Sequence, residues 1–240
     1  MKAILMAAGL GTRLRPITNE IPKPLLMIGE KPLLAYHLEA LAKAGIREVI
    51  INSHYLSEQI EKFVYDNNFG IDARVSFEPV LLGSAGTIRS LKSNLTKEDF
   101  LVIYADNLTN IDYRNFISYH KTMNGLATMA CYFEKNPAEK GVVILDNDKR
   151  IVGMIEKPGE GVGPSWANAG IYCFKKELLE ELQDNRSEVD QPYDIAKDLM
   201  TDNFFISNRI NAYLMSEYLL DIGSLSSLEI AGENIENIIF

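Results

Sequence analysis

The stretch "MAAGLGTRLRPITNEIPKP", Met6 to Pro24, follows directly on the short apolar run KAILM (residues 2–6) and sets Gly9, Gly11, Arg13, Arg15 and Lys23 close together. A glycine-rich loop at the end of a strand is where an open α/β sheet receives a ligand, so the residue types decide what it can hold. A dinucleotide fingerprint needs a third glycine at position 14, and here Leu14 leads into Arg15-Pro16 rather than a helix. A P-loop needs Gly-Lys-Ser/Thr, and Gly11-Thr12-Arg13 has no lysine. A charged surface turn explains the glycines but not three cations in a chain of net charge −9. The fourth reading is a loop whose backbone amides, freed by Gly9 and Gly11, wrap a nucleoside triphosphate. Arg13 then supplies a forked, permanently charged donor. Lys23 lies between Pro22 and Pro24, which restrict the backbone and are expected to hold Lys23 extended as a positioned point charge.

The rest of the chain supports an α/β frame around this loop. Lys31–Ala44 has helical spacing, and Glu48–Asn52 (EVIIN) reads as a buried strand followed by a helix over Ser57–Asn67. Arg74–Glu78 reads as a strand, Ala85–Leu91 as a helix and Phe100–Tyr104 (FLVIY) as a central strand. Such runs, without in/out alternation, suit a parallel sheet covered by helices on both faces. After a helix at Asp112–Asn124 the pattern shifts to strands in close succession: Thr128–Phe133, Gly141–Leu145, Ile151–Ile155 and Ala169–Phe174. Lys175–Gln183 and Tyr193–Thr201 read as helical, Ile210–Met215 as a late strand and Ser224–Asn234 as a closing helix. The expected architecture is a three-layer α/β/α, Rossmann-like domain with a mixed, mostly parallel central sheet. It spans residues 1–240, with a nucleotide-binding half over 1–125 and a second half over 126–240.

Composition sets the boundaries of function. The chain has 24 Lys and Arg against 33 Asp and Glu, which argues against a nucleic-acid partner held by a general basic surface. No apolar stretch approaches the ~18 residues of a membrane span, so no membrane partner is expected and the expected location is the cytoplasm. Cys131 and Cys173 lie in apolar strand-like runs without metal-ligand spacing and read as buried free thiols. His37, His54 and His120 share no spacing and read as packing or surface residues. Asp106 ends the most buried-looking strand, at the sheet edge where ligands bind. A carboxylate there suits Mg²⁺, the hard cation that a triphosphate donor needs.

GLGTRLRPIT (residues 9–18) followed by PKPL resembles the signature of the sugar-1-phosphate nucleotidylyltransferases. GEKPLLAYHLEAL, LLGSAGTI, YADN, EKP, NAGIY and DIGS follow in that family's order, from residue 1 to about residue 230. The chain resembles the short mannose- or heptose-1-phosphate guanylyltransferases and N-acetylmuramate-1-phosphate uridylyltransferases. The resemblance implies Arg13 and Lys23 as catalytic residues and Ala7, Ala8, Gly9, Gly11, Thr12, Glu78, Gly83 and Gly86 on the nucleotide. It implies Gly141, Glu156, Lys157 and Asn168 on the sugar phosphate, and Asp106 with Asp221 as Mg²⁺ ligands. The family usually shows Gly-Asp where this chain has Ala105-Asp106. Many relatives carry glutamine where Glu78 stands. A carboxylate only accepts, and guanine offers two adjacent donors, which tilts the base toward GTP, with UTP and dTTP next; the Ala7-Ala8-Gly9 opening is more familiar from uridylyl and thymidylyl enzymes. The implied product is a nucleotide sugar of the kind used in cell-surface polysaccharide biosynthesis, made by a monomer or homodimer. Two alternatives stay open: a cytidylyltransferase acting on a non-sugar phosphate or phosphonate, and a catalytically silent nucleotide-sugar-binding regulatory subunit.

Overall fold

The computed structural model describes residues 1–182 and 191–238. Along the chain run β1 (Lys2–Met6), β2 (Met27–Ile28), β3 (Lys31–Pro32), α1 (Leu33–Lys43), β4 (Glu48–Ser53), α2 (Ser57–Asp66) and β5 (Asp72–Phe77). Next come α3 (Ser84–Ser90), α4 (Lys92–Leu95), β6 (Phe100–Tyr104), β7 (Asn107–Thr109), α5 (Tyr113–Thr122) and β8 (Ala127–Glu134). The chain continues through β9 (Gly141–Leu145), β10 (Arg150–Glu156), β11 (Ser165–Phe174), α6 (Leu178–Glu181) and α7 (Asp202–Ser207). It ends with β12 (Ile210–Leu214), β13 (Leu219–Asp221) and α8 (Leu225–Asn234). This is a mixed α/β fold. No described helix is long and apolar enough to cross a membrane.

Two compact units emerge: one gathers residues 1–81, 102–114 and 217–240, the other 82–101 and 115–216. In the first, the strand order is β5-β4-β1-β6, with β1, β4 and β5 parallel. Ala3, Ile4 and Leu5 of β1 are fully buried, as the unbroken apolar run requires. Its last segment returns: β13 pairs antiparallel with β7, setting Asp221 opposite Asn107. Ile222, Ala231 and Ile238 then pack with Ile28, Leu33 and Leu108. Ser224 caps α8 by accepting from Ser227 N–H, in a reciprocal capping box.

The second unit has the order β11-β8-β12-β10-β9, with β9 also pairing with β11. Among the described residues β12 and β8 run parallel, while β11 with β8, β10 with β12 and β10 with β9 are antiparallel. The mostly parallel pattern therefore belongs to the first unit alone, because short connections between successive strands permit antiparallel pairing. Cys131 and Cys173 are buried free thiols, as expected, and burial pushes both thiol pKa values upward.

Several elements differ from expectation. Lys31 and Pro32 pair with Met27 and Ile28 before α1 begins. β11 starts at Ser165 because Ser165–Asn168 pair with Cys131–Glu134, ahead of an irregularity before Tyr172. The expected helix at Tyr193–Thr201 is a π-helical turn over Ile195–Leu199. Tyr193 cannot join it, since its N–H donates to Leu82 C=O and its C=O accepts from Ala85 and Gly86 N–H; Thr201 instead caps α7. Of the expected helix Lys175–Gln183, α6 forms the centre, and Gln183 lies outside the described residues.

Candidate functional site

In the first unit, β1 ends at Met6, and the following loop turns at Gly11, whose φ of 62° is left-handed. A Cβ there would lie 2.9 Å from Thr18 Cγ2, so both conformation and space call for glycine. Gly11 C=O accepts from Leu14 N–H at 2.9 Å and from the Thr18 hydroxyl at 2.8 Å, which closes the loop on itself. Gly9 has open space around it, and Ala7 and Ala8 are buried. The Ala7 N–H donates to Asn52 Oδ1 at 2.6 Å. Thr12–Leu14 forms a 3-10 turn that carries Arg13 outward.

Lys23 opens a further 3-10 turn, Lys23–Leu25, for which Pro22 is the extended N-cap. The extended conformation expected at Lys23 is thus found one residue earlier, at ψ 142° of Pro22. The purpose inferred from the prolines is nevertheless met: Lys23 is 8% exposed and its ammonium is fixed. Lys23 Nζ lies 2.7 Å from Asp106 Oδ2 and 3.7 Å from Asp221 Oδ1. A Cβ placed on Gly223 would lie 3.0 Å from Arg13 Nη2 and 3.1 Å from Asp221 Oδ1, so Arg13 joins the same cluster. Residues 13, 23, 106 and 221 therefore converge within one unit. Behind them, burial lowers the pKa of His37 to about 4, against the opposing charge of Asp106, so the imidazole is neutral at neutral pH.

A divalent cation fits this arrangement. Two carboxylates already face one cationic point, and hard cations take carboxylate and phosphate oxygens. Among the described residues no cluster of three or more His, Cys, Asp or Glu side chains forms, so other ligands would be phosphate or water oxygens.

Glu78 follows β5 and is 3% exposed. Its Oε1 accepts from Asn52 Nδ2 at 2.9 Å. Asn52 is not among the residues expected from the sequence; its signal is a polar residue following the apolar run Val49–Ile51 of a parallel strand, near the edge where ligands bind.

The second unit holds the remaining candidates. Gly83 has φ 74°, and a Cβ there would lie 2.6 Å from Tyr193 N and 2.7 Å from Tyr193 O. At Gly86 a Cβ would approach Leu82 Cβ at 3.1 Å. Gly83 thus has a packing role, letting the α3 segment lie against the Tyr193 backbone, while Gly86 leaves room for Leu82. Gly141, Glu156 and Asn168 come together: Gly141 is the register partner of Glu156. A Cβ on Gly141 would meet Glu156 Oε2 at 2.9 Å and Asn168 Cβ at 3.6 Å. Asn168 Nδ2 donates to the Tyr172 hydroxyl at 2.6 Å, while its Oδ1 accepts from Gly170 N–H at 2.9 Å. Lys157 has a left-handed φ of 48°, donates its N–H to Lys140 C=O at 3.0 Å, and sets its exposed ammonium 3.9 Å from Glu139.

Proteins similar to this chain are numerous. A mannose-1-phosphate guanyltransferase of Neurospora crassa is 32% identical over 197 residues, covering 80% of this chain and 54% of that protein. The mannose-1-phosphate guanylyltransferase catalytic subunit beta of Drosophila pseudoobscura is 37% identical over 186 residues, covering 76% of this chain and 50% of that one. The chain therefore spans about half the length of these curated relatives. Among solved structures, HddC from Yersinia pseudotuberculosis complexed with GMP-PN superposes with a TM-score of 0.79 at 23% identity, over 98% of this chain and 99% of that one. A putative glucose-1-phosphate thymidylyltransferase from Bacillus anthracis superposes with a TM-score of 0.88 at 22% identity, over 100% and 97%. These two likenesses establish a shared fold. The sequence model for "Nucleotidyl transferase" matches residues 2–238, and on that match the chain belongs to the nucleotidyl transferase family.

Proposed function

We propose that the chain transfers GMP from GTP to a sugar 1-phosphate, with release of pyrophosphate. The observation that carries this reading is the convergence of Lys23, Asp106, Asp221 and Arg13 on one point. Two cations and two carboxylates at the end of parallel strands suit a polyanionic substrate with its metal. The choice of GTP is supported by the names of the curated relatives and by the chemistry of Glu78, whose carboxylate suits the paired N–H donors of guanine. Mannose 1-phosphate, named in those relatives, is the first acceptor to test.

A phosphate monoester is already anionic at neutral pH, so the acceptor oxygen needs no general base. It forms the new P–O bond to the α-phosphorus as the bond to the β-phosphate oxygen breaks, and the electron pair leaves with pyrophosphate. The protein's work is positioning and charge compensation. Lys23 steadies the α-phosphoryl group and Arg13 the departing pyrophosphate. Asp106 and Asp221 would hold Mg²⁺, which when bound neutralises triphosphate charge. On the acceptor side Gly141, Glu156 and Asn168 line the sugar, with Glu156 accepting from hydroxyls and Lys157 drawing in the phosphate. The product is a nucleotide sugar, a donor for polysaccharide assembly. Pyrophosphate release measured across GTP, UTP, dTTP and CTP with a panel of sugar 1-phosphates tests the reading: GTP turns over fastest. Tight binding of nucleotide sugars without turnover of any pair would sink it.

A further inference from the structure

Three successive residues grip Glu78 from three sides. Asn52 Nδ2 donates to its Oε1 at 2.9 Å. Ser53 C=O accepts from its N–H at 2.7 Å, and His54 Nδ1 donates to its C=O at 2.7 Å. Asn52 also accepts the Ala7 N–H at 2.6 Å, so a single buried amide ties the loop after β1 to the Glu78 carboxylate. Asn52 and Glu78 are 4% and 3% exposed. A long acidic side chain held so deeply, by its head group and its backbone at once, has lost its rotamer freedom before any ligand arrives. Polar discrimination depends on this: a site that presents a fixed hydrogen-bonding edge rejects a ligand that cannot match it, whereas a mobile one adapts.

We infer that Asn52, with His54 in support, is the positioning residue that fixes Glu78 toward the nucleotide base and thereby sets base selectivity. The inference rests on the reading that Glu78 faces the base. Asn52 itself touches the loop and the glutamate, and acts through them. A carboxylate has about four acceptor directions, so the bond from Asn52 leaves it able to accept from a base.

The test compares kcat and KM for GTP, UTP, dTTP and CTP, and KM for the sugar phosphate, in the wild type and three variants. Asn52→Asp keeps the acceptor for Ala7 N–H and replaces the amide donor to Glu78 with a carboxylate that repels it. It should lower the ratio of kcat/KM between the preferred nucleotide and the next by at least about tenfold, through KM for the nucleotide, with KM for the sugar phosphate unchanged. His54→Ala should lower the same ratio to a smaller extent, and it carries the test alone if Asn52→Asp does not fold. Unchanged selectivity in the folded variants, or a parallel rise in both KM values, overturns the inference. Glu78→Ala separates the two layers. If it leaves base preference intact, the base-facing reading of Glu78 is what fails. If it abolishes preference while Asn52→Asp and His54→Ala retain it, only the positioning role fails.

Discussion

The two candidate binding regions are built on opposite plans. The charged one draws residues 13, 23, 106 and 221 from distant parts of the chain and holds them by ion pairs. The acceptor one takes Gly141, Glu156 and Asn168 from three neighbouring strands and holds them by strand register and neutral hydrogen bonds. The contrast follows from chemistry: phosphate transfer needs concentrated charge, which no single local segment can supply without repelling itself, whereas hydroxyl recognition needs shape.

Breaking the charged region should cost most. Lys23→Ala is expected to reduce kcat by roughly 10²–10³-fold, read by pyrophosphate release, because it removes a fixed donor from the reacting phosphate. Thermal melting should move far less than turnover. Asp106→Asn or Asp221→Asn should weaken Mn²⁺ binding by at least about tenfold, followed by paramagnetic resonance without nucleotide or turnover. Retained affinity in both would separate the carboxylates from the metal.

Substitutions in the second unit should instead show in stability and KM. Gly83→Ala forces a Cβ into the Tyr193 backbone at a left-handed φ and should cost about 2–3 kcal/mol in denaturant unfolding. Gly141→Ala pushes only on the Glu156 carboxylate, so the fold should hold while KM for the sugar phosphate rises about tenfold and KM for the nucleotide stays put.

The smallest effect belongs to His120. Burial lowers its pKa below the usual 6.5, with Asp99 opposing. As pH falls through that range the unfolded chain takes up a proton that the native state does not, so stability is full above it and declines toward acid. His120→Gln should lessen the fall in melting temperature between about pH 7 and about pH 5.

How much of this was legible depended on distance along the chain. β6 and Asp106 could be read because an unbroken apolar run ending in Ala-Asp is a local signal. Arg13 and Lys23 stood out against a net charge of −9. Asn52 did not, since its meaning comes from Ala7 and Glu78, 45 and 26 residues away. The three-residue strands β7 and β13 have too few residues to show periodicity. The packing of Gly83 is equally hidden, since its partner, Tyr193, lies more than 100 residues on.

The pairing of β13 with β7 bears on how the protein is made. A ribosome delivers Lys23 and Asp106 long before Asp221, so a nascent chain has only one of the two carboxylates proposed to hold Mg²⁺ until residues 219–221 emerge. Over that interval Ile28, Leu33 and Leu108 lack the cover of Ile222, Ala231 and Ile238. Until then the growing chain exposes an apolar surface, and the pairing of β13 with β7 goes together with both its cover and the second carboxylate.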